Sequence, residues 1–184
     1  MKKLNIIVAF VIFSVSSLSA QKLITREGVT EIFSETSLFT IEATNPKVAS
    51  ILNTENGEVV ASTLVRSFEF HEALVGEHFN ENYMESHLYP KATFNGKIEN
   101  FSTIDLKKSG TYPILIVGKF TMHGQTNDIS EKGELIIKGD KVSAKTTFFV
   151  SLENYKIKIE ENYKDRINDE IKLNISFNYS GLNN

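Results

Sequence analysis

Ile171-Lys172-Leu173-Asn174-Ile175-Ser176-Phe177-Asn178-Tyr179-Ser180 alternates apolar and polar side chains without an exception. Successive side chains of a β-strand point to opposite faces, so strict alternation describes a strand with one buried and one wet face. The same grammar runs back through the chain. Val142, Ala144, Phe148, Val150 and Leu152 share a face opposite Ser143, Lys145, Thr147 and Ser151. Tyr112, Ile114, Ile116, Phe120 and Met122 share another with Gly118, as do Ala92, Phe94 and Ile98 with Gly96. Residues 22–34 read as a strand pair or one strand bent at Gly28. Residues 38–43 are extended, Asn45-Pro46 marks a bend or sheet edge, and 48–52 resume the alternation. Asn56-Gly57 is the strongest hairpin signal, since both residues tolerate positive φ. Residues 58–70 then read as one long strand, and Gly124 and Gly139-Asp140 predict tight turns.

One stretch departs from this pattern. Residues 77–86 place Phe79 and Tyr83 four apart with Asn and Glu on the other face, which predicts a short amphipathic helix. Tyr89-Pro90 stops it, because proline pushes the preceding residue out of the α region. Seven or more one-sided strands joined by short turns leave a two-sheet sandwich or a closed barrel. Strands of about ten residues exceed the usual five or six and would expose long edges unless the sheet closes. The expectation is an all-β, extended antiparallel barrel of about eight strands with one helix near 77–86.

Lys2 and Lys3, an apolar run from Leu4 to Val15 and the small residues Ser16 to Ala20 follow the order of a cleaved signal peptide. The run is shorter than a membrane anchor requires. Cleavage is expected near Ala20-Gln21, leaving residues 21–184 as a single soluble domain in the periplasm or outside the cell. Removing two of the 20 basic residues leaves 18 against 23 acidic ones, a net of about −5. This balance argues against nucleic-acid partners. The absence of cysteine rules out both a disulfide frame and a lipid-bearing thiol.

Motifs that carry chemistry are weak. His71-Glu72 followed by His78 misses the helical metal spacing, which would put the second histidine at Val75. His78, Glu81, Asn82 and Glu85 would share a helix face, more simply a solvated face than a metal site. Glu81 and Glu85 are not singled out as an acid–base pair. Nucleophile elbows and phosphate-cradling loops are absent, and no catalytic residue, metal ligand or cofactor is assigned. A barrel of about eight strands either fills its interior or encloses one small ligand. Aromatic inner faces interspersed with Ala92, Gly96, Gly118 and Ala144 suit an apolar guest, or a solid core whose small residues ease curvature.

Two segments carry a family likeness. One is His78-Phe79 followed by Tyr89-Pro90-Lys91-Ala92-Thr93-Phe94; the other is Val117-Gly118-Lys119-Phe120-Thr121-Met122-His123-Gly124-Gln125-Thr126. In order and spacing they resemble the YceI-like family, lipocalin-like secreted proteins associated with polyisoprenoid lipids. Residues 80–86 depart from the family's acidic-aromatic patch. Leu152-Glu153-Asn154-Tyr155-Lys156-Ile157 lacks the arginine and aspartate that the family often has there. The resemblance implies a lipocalin-like barrel around a long apolar tube that holds an isoprenoid chain, without catalysis. Phe94, Gly118, Phe120 and Thr121 carry over by position, with His78 and Tyr89 near the helix.

The expected function is a carrier for a long apolar lipid, polyisoprenoid or isoprenoid-quinone-like. Its cavity would be lined by Phe94, Ile98, Ile114, Ile116, Phe120, Phe148, Val150 and Leu152, with His78, Tyr83 and Tyr89 at the mouth for a head group. Ile98, Ile114, Ile116, Phe148, Val150 and Leu152 come from alternation alone. The alternative is an exported interaction module with a filled core that binds a protein through residues 71–90; a homodimer is open in either case. An outer-membrane barrel fits less well, since the chain ends Gly181-Leu182-Asn183-Asn184 and not on an aromatic.

Overall fold

The computed structural model describes residues 22–180, so the signal-peptide reading of residues 1–20 lies outside the described residues. Strands β1 (Lys22–Glu35), β2 (Thr40–Asn53) and β3 (Glu58–Leu64) are followed by a short β4 (Glu69–Phe70) and helix α1 (Ala73–His78). Then come β5 (Lys91–Ile98), β6 (Gly110–Met122), β7 (Gln125–Lys138), β8 (Lys141–Ser151) and β9 (Glu170–Asn178). The long strands pair in the order β1-β9-β8-β7-β6-β5-β3-β2, and β2 returns to β1. The sheet is therefore a closed, eight-stranded antiparallel barrel, with β4 added beside β2.

Several local expectations change. Residues 22–34 form one strand, and the ladder between β1 and β2 slips on both sides of Gly28. A Cβ there would sit 2.5 Å from the Phe177 ring, so only glycine lets this ring in. Strand β2 continues through Asn45-Pro46. Asn45 is fully buried, and its Nδ2 donates to Thr63 Oγ1 (2.8 Å) and the Leu64 carbonyl (3.0 Å), where the β2–β3 ladder has ended.

Residues 58–70 are not one strand. The chain turns at Val65–Ser67, where the Val65 N–H donates to the Pro90 carbonyl at 3.0 Å and its side chain enters the core. The helix begins at Ala73, four residues before the expected start, and continues as a wider turn over Phe79–Tyr83 closed by Met84 N–H to Phe79 O at 2.8 Å. Its early start depends on packing: Gly76 lies against the Phe70 ring, and the Phe79 ring meets Phe68 edge-on at 5.6 Å and Phe70 at a tilt at 4.9 Å.

Two buried clusters form inside the barrel. One gathers Leu23, Leu52, Ile98, Leu135, Val142 and Tyr179; the other, beneath α1, gathers Val65, Met84, Phe148, Val150, Tyr155 and Leu173. Between β5 and β6, Gly96 faces Gly118 in register. A Cβ on Gly118 would lie 2.5 Å from both the Asn95 carbonyl oxygen and Gly96 Cα, and 2.9 Å from the Phe94 ring. The space freed by the two glycines is thus taken by Phe94. Gly118→Ala is expected to destabilise the protein by about 1–3 kcal/mol through overpacking, read from urea unfolding midpoints.

At the other end, the Tyr179 hydroxyl meets Ser50 Oγ at 2.9 Å. Burial pushes the Tyr179 hydroxyl from 10.0 up to about 12. The unfolded chain releases this proton first, so stability should fall as pH rises from 10 to 12. At roughly 1.4 kcal/mol per pH unit the loss approaches about 2–3 kcal/mol. Tyr179→Phe should remove that part of the alkaline loss in denaturant titrations, while leaving Ser50 unpaired at a cost of about 1–3 kcal/mol near neutrality.

Candidate functional site

The two clusters do not fill the barrel. A cavity of about 820 Å³ opens between their side chains, within the range of roughly 300–1,000 Å³ usual for small-molecule sites. Alternation explains its lining, because every second residue of each strand must face it. Phe94, Ile98, Ile114, Ile116, Phe120, Phe148, Val150 and Leu152 all lie on the wall. Of the small residues, Ala92 and Ala144 reach the cavity, whereas Gly96 and Gly118 lie beneath the Phe94 ring.

Helix α1 and the turn after it lie across one end of the cavity. His78 and Tyr83 line it there, joined by Phe39 from the β1–β2 loop, Leu74 and Val75 from α1, and Tyr163 and Arg166 from the β8–β9 connection. His78 meets the Tyr163 ring edge-on at 6.4 Å, and the Arg166 guanidinium sits 5.0 Å from the Phe39 ring centre. Burial, followed by the charges of Glu160 and Tyr163, raises the Tyr83 hydroxyl above its usual range. Phe39, Tyr163 and Arg166 lie in connections whose course alternation does not report. They reach the cavity only because the β1–β2 and β8–β9 connections close over the same end.

Tyr89 does not line the cavity. Its ring packs on His123 at 4.7 Å and covers Gly124, where a Cβ would sit 2.6 Å from Tyr89 Cε1. The suggested face of His78, Glu81, Asn82 and Glu85 is also dispersed, because Glu85 turns to His123. His123 is buried, with Nδ1 2.8 Å from the Tyr155 carbonyl and Nε2 2.9 Å from Glu85 Oε2. A carbonyl only accepts, so Nδ1–H donates to it, and Nε2 faces the Glu85 carboxylate. Glu85, His123 and Lys156 have φ of 42°, 49° and 56°, and are the non-glycine residues in the left-handed region among the described residues. Such backbone costs about 1–2 kcal/mol per residue, and here all three strained positions meet around one imidazole. The contact ties the segment after α1 to the β6–β7 hairpin and the turn after β8.

Comparison with known proteins sets this geometry in a family. A family model, the YceI-like domain, matches residues 11–179. The chain belongs to the YceI-like family.

A search of curated proteins returns no match. Solved structures share the YceI-like barrel at low identity. A polyisoprenoid binding domain from Saccharophagus degradans, implicated in plant cell wall breakdown, superposes with a TM-score of 0.76 at 10% identity, covering 88% of this chain and 99% of its own. BcnA of Burkholderia cenocepacia gives 0.68 at 13% identity, covering 81% and 94%. The YCEI protein of Campylobacter jejuni gives 0.57 at 16%, covering 98% and 99%. At such identities the likeness is one of fold. In this YceI-like barrel the segments around Tyr89 and His123 meet in space, Tyr89 lying on the His123-Gly124 turn. His123→Ala should cost about 1–3 kcal/mol by leaving the Tyr155 carbonyl and the Glu85 carboxylate without their partner, and should speed amide hydrogen exchange over residues 79–90 and 153–157.

Proposed function

We propose that this YceI-like chain is an exported, non-enzymatic carrier that holds one long apolar lipid inside its barrel. The observation that carries this reading is the cavity of about 820 Å³ walled by Ile114, Ile116, Phe120, Phe148, Val150 and Leu173. Moving a chain from water into such a wall contributes about 0.8 kcal/mol per methylene before ordering costs, which drives uptake without chemistry. The name of the Saccharophagus degradans neighbour, a polyisoprenoid binding domain, supports an isoprenoid chain as the guest. Among the described residues no helix is long and apolar enough to cross a membrane. His78 and Tyr83, at the end spanned by α1, are among the polar side chains an entering head group would pass, with Glu42, Glu72, Tyr163 and Arg166 beside them. The reading as an interaction module retains exposed Leu74 and Leu88 as a surface, but its filled core conflicts with the cavity.

Organic extraction of the natively purified protein, followed by mass spectrometry, should yield a long-chain lipid near one per chain. Ala92→Phe combined with Ala144→Phe fills part of the wall. The pair should reduce that yield severalfold with the circular-dichroism spectrum of the barrel retained. No lipid in the extract and no uptake of an added isoprenoid would overturn the carrier.

A further inference from the structure

The barrel wall is not continuous. Strand β7 pairs with β8 only over Gly133–Lys138 and Lys141–Thr146. From Gln125 to Lys132, β7 is held by β6 alone, and from Thr147 to Ser151, β8 is held by β9 alone. Two side-chain bonds span the resulting slot: Thr146 Oγ1 donates to the Lys132 carbonyl at 2.8 Å, and Asn127 Nδ2 to the Asn154 carbonyl at 3.0 Å. Between these bonds the inner face of β7 carries Ile129, then Glu131.

Glu131 is a carboxylate on the wall of an apolar cavity. Its neighbours on that face are Ile129 and Gly133, and its partner across β6 is Ile116. Ile129 packs with the cluster beneath α1 and Ile116 with the opposite one, so Glu131 stands at the waist of the tube. The other carboxylates on the wall, Glu42 and Glu72, come from the end that carries α1. The Glu131 carboxylate makes no ion pair or hydrogen bond with any described residue, and desolvation raises it above the usual range. Across the slot the lining includes Thr146 and the exposed Lys145, neither of which bonds to the Glu131 carboxylate. An acceptor without a side-chain partner between Ile129 and Ile116 costs free energy that a bound donor would remove.

We propose that Glu131 and the β7–β8 slot form a head-group subsite at the waist of the barrel, for a lipid that ends in an uncharged or cationic hydrogen-bond donor. A hydroxyl, amide or amine would donate to the carboxylate while water reaches it through the slot. A phosphate or carboxylate would meet like charge there and is disfavoured. The inference rests on the carrier reading and adds the chemistry and depth of the polar end.

The test compares probes with one tail. The delipidated chain is titrated with a C20 prenyl alcohol, the pyrophosphate of the same alcohol and an uncharged polyisoprene hydrocarbon, each displacing a fluorescent apolar dye. The wild-type protein should bind the alcohol about tenfold to a hundredfold more tightly than the pyrophosphate, the range of a hydrogen bond to a charged group. Glu131→Leu should lose that preference, and Glu131→Gln, which keeps an acceptor without the charge, should retain alcohol binding while tolerating the pyrophosphate better. Thermal melts establish that both variants fold, and the leucine variant should melt no lower than wild type. Equal binding of alcohol and pyrophosphate by the wild type, or a preference unchanged in Glu131→Leu, overturns the subsite and leaves the carrier standing. Failure of all three probes to displace the dye overturns the carrier and the subsite with it.

Discussion

Closure of the sheet is the constraint from which the rest follows. The β1–β2 ladder runs from Lys22 opposite Asn53 to Glu35 opposite Thr40 and joins the two ends of an eight-strand sequence. Once joined, the sheet leaves an unpaired edge along the β7–β8 slot, and each strand must send alternate side chains into one shared interior. The interior therefore has a fixed circumference whatever residues line it. Eight strands enclose enough room for either packed side chains or one guest, and here the side chains leave part of it vacant. An apolar void forfeits dispersion contacts along its lining. The two buried clusters, the Tyr179–Ser50 contact and the His123 tie carry the stability that this void does not supply.

The polar groups inside follow a simple division. Asn45 and Tyr179 are deeply buried, and each has a hydrogen-bond partner within the protein. Glu131 has none and faces the cavity. The deeply buried groups are satisfied within the wall, and the half-buried Glu131 carboxylate faces the space inside it.

Much of this was legible because the period of a strand is two. Ile171, Leu173, Ile175, Phe177 and Tyr179 announce their inward face without help, and the same reading places Ile114, Ile116, Phe148 and Val150 on the cavity wall. It becomes silent where contacts remote in sequence decide the local structure. Gly76 is a poor helix former, yet it lies inside α1 because the Phe70 ring needs its bare surface. Val65 turns the chain out of β3 because Pro90 offers its N–H a carbonyl. Tyr89, expected at the mouth, is fixed on Gly124, 35 positions away. Glu131 was hidden for a different reason: a charge and then Gly133 stand at two successive inward positions of β7, which blurs the alternation at the point where the wall changes character.

The strained tie at His123 has a mechanical side. Its histidine sits at the tip of the β6–β7 hairpin, and the β7 arm of that hairpin has no ladder with β8 from Gln125 to Lys132. Glu85, on the far side of the tie, belongs to the segment that roofs the barrel. One imidazole therefore couples the segment that covers this end of the barrel to a hairpin arm whose only ladder is with β6, so the two are held in place together.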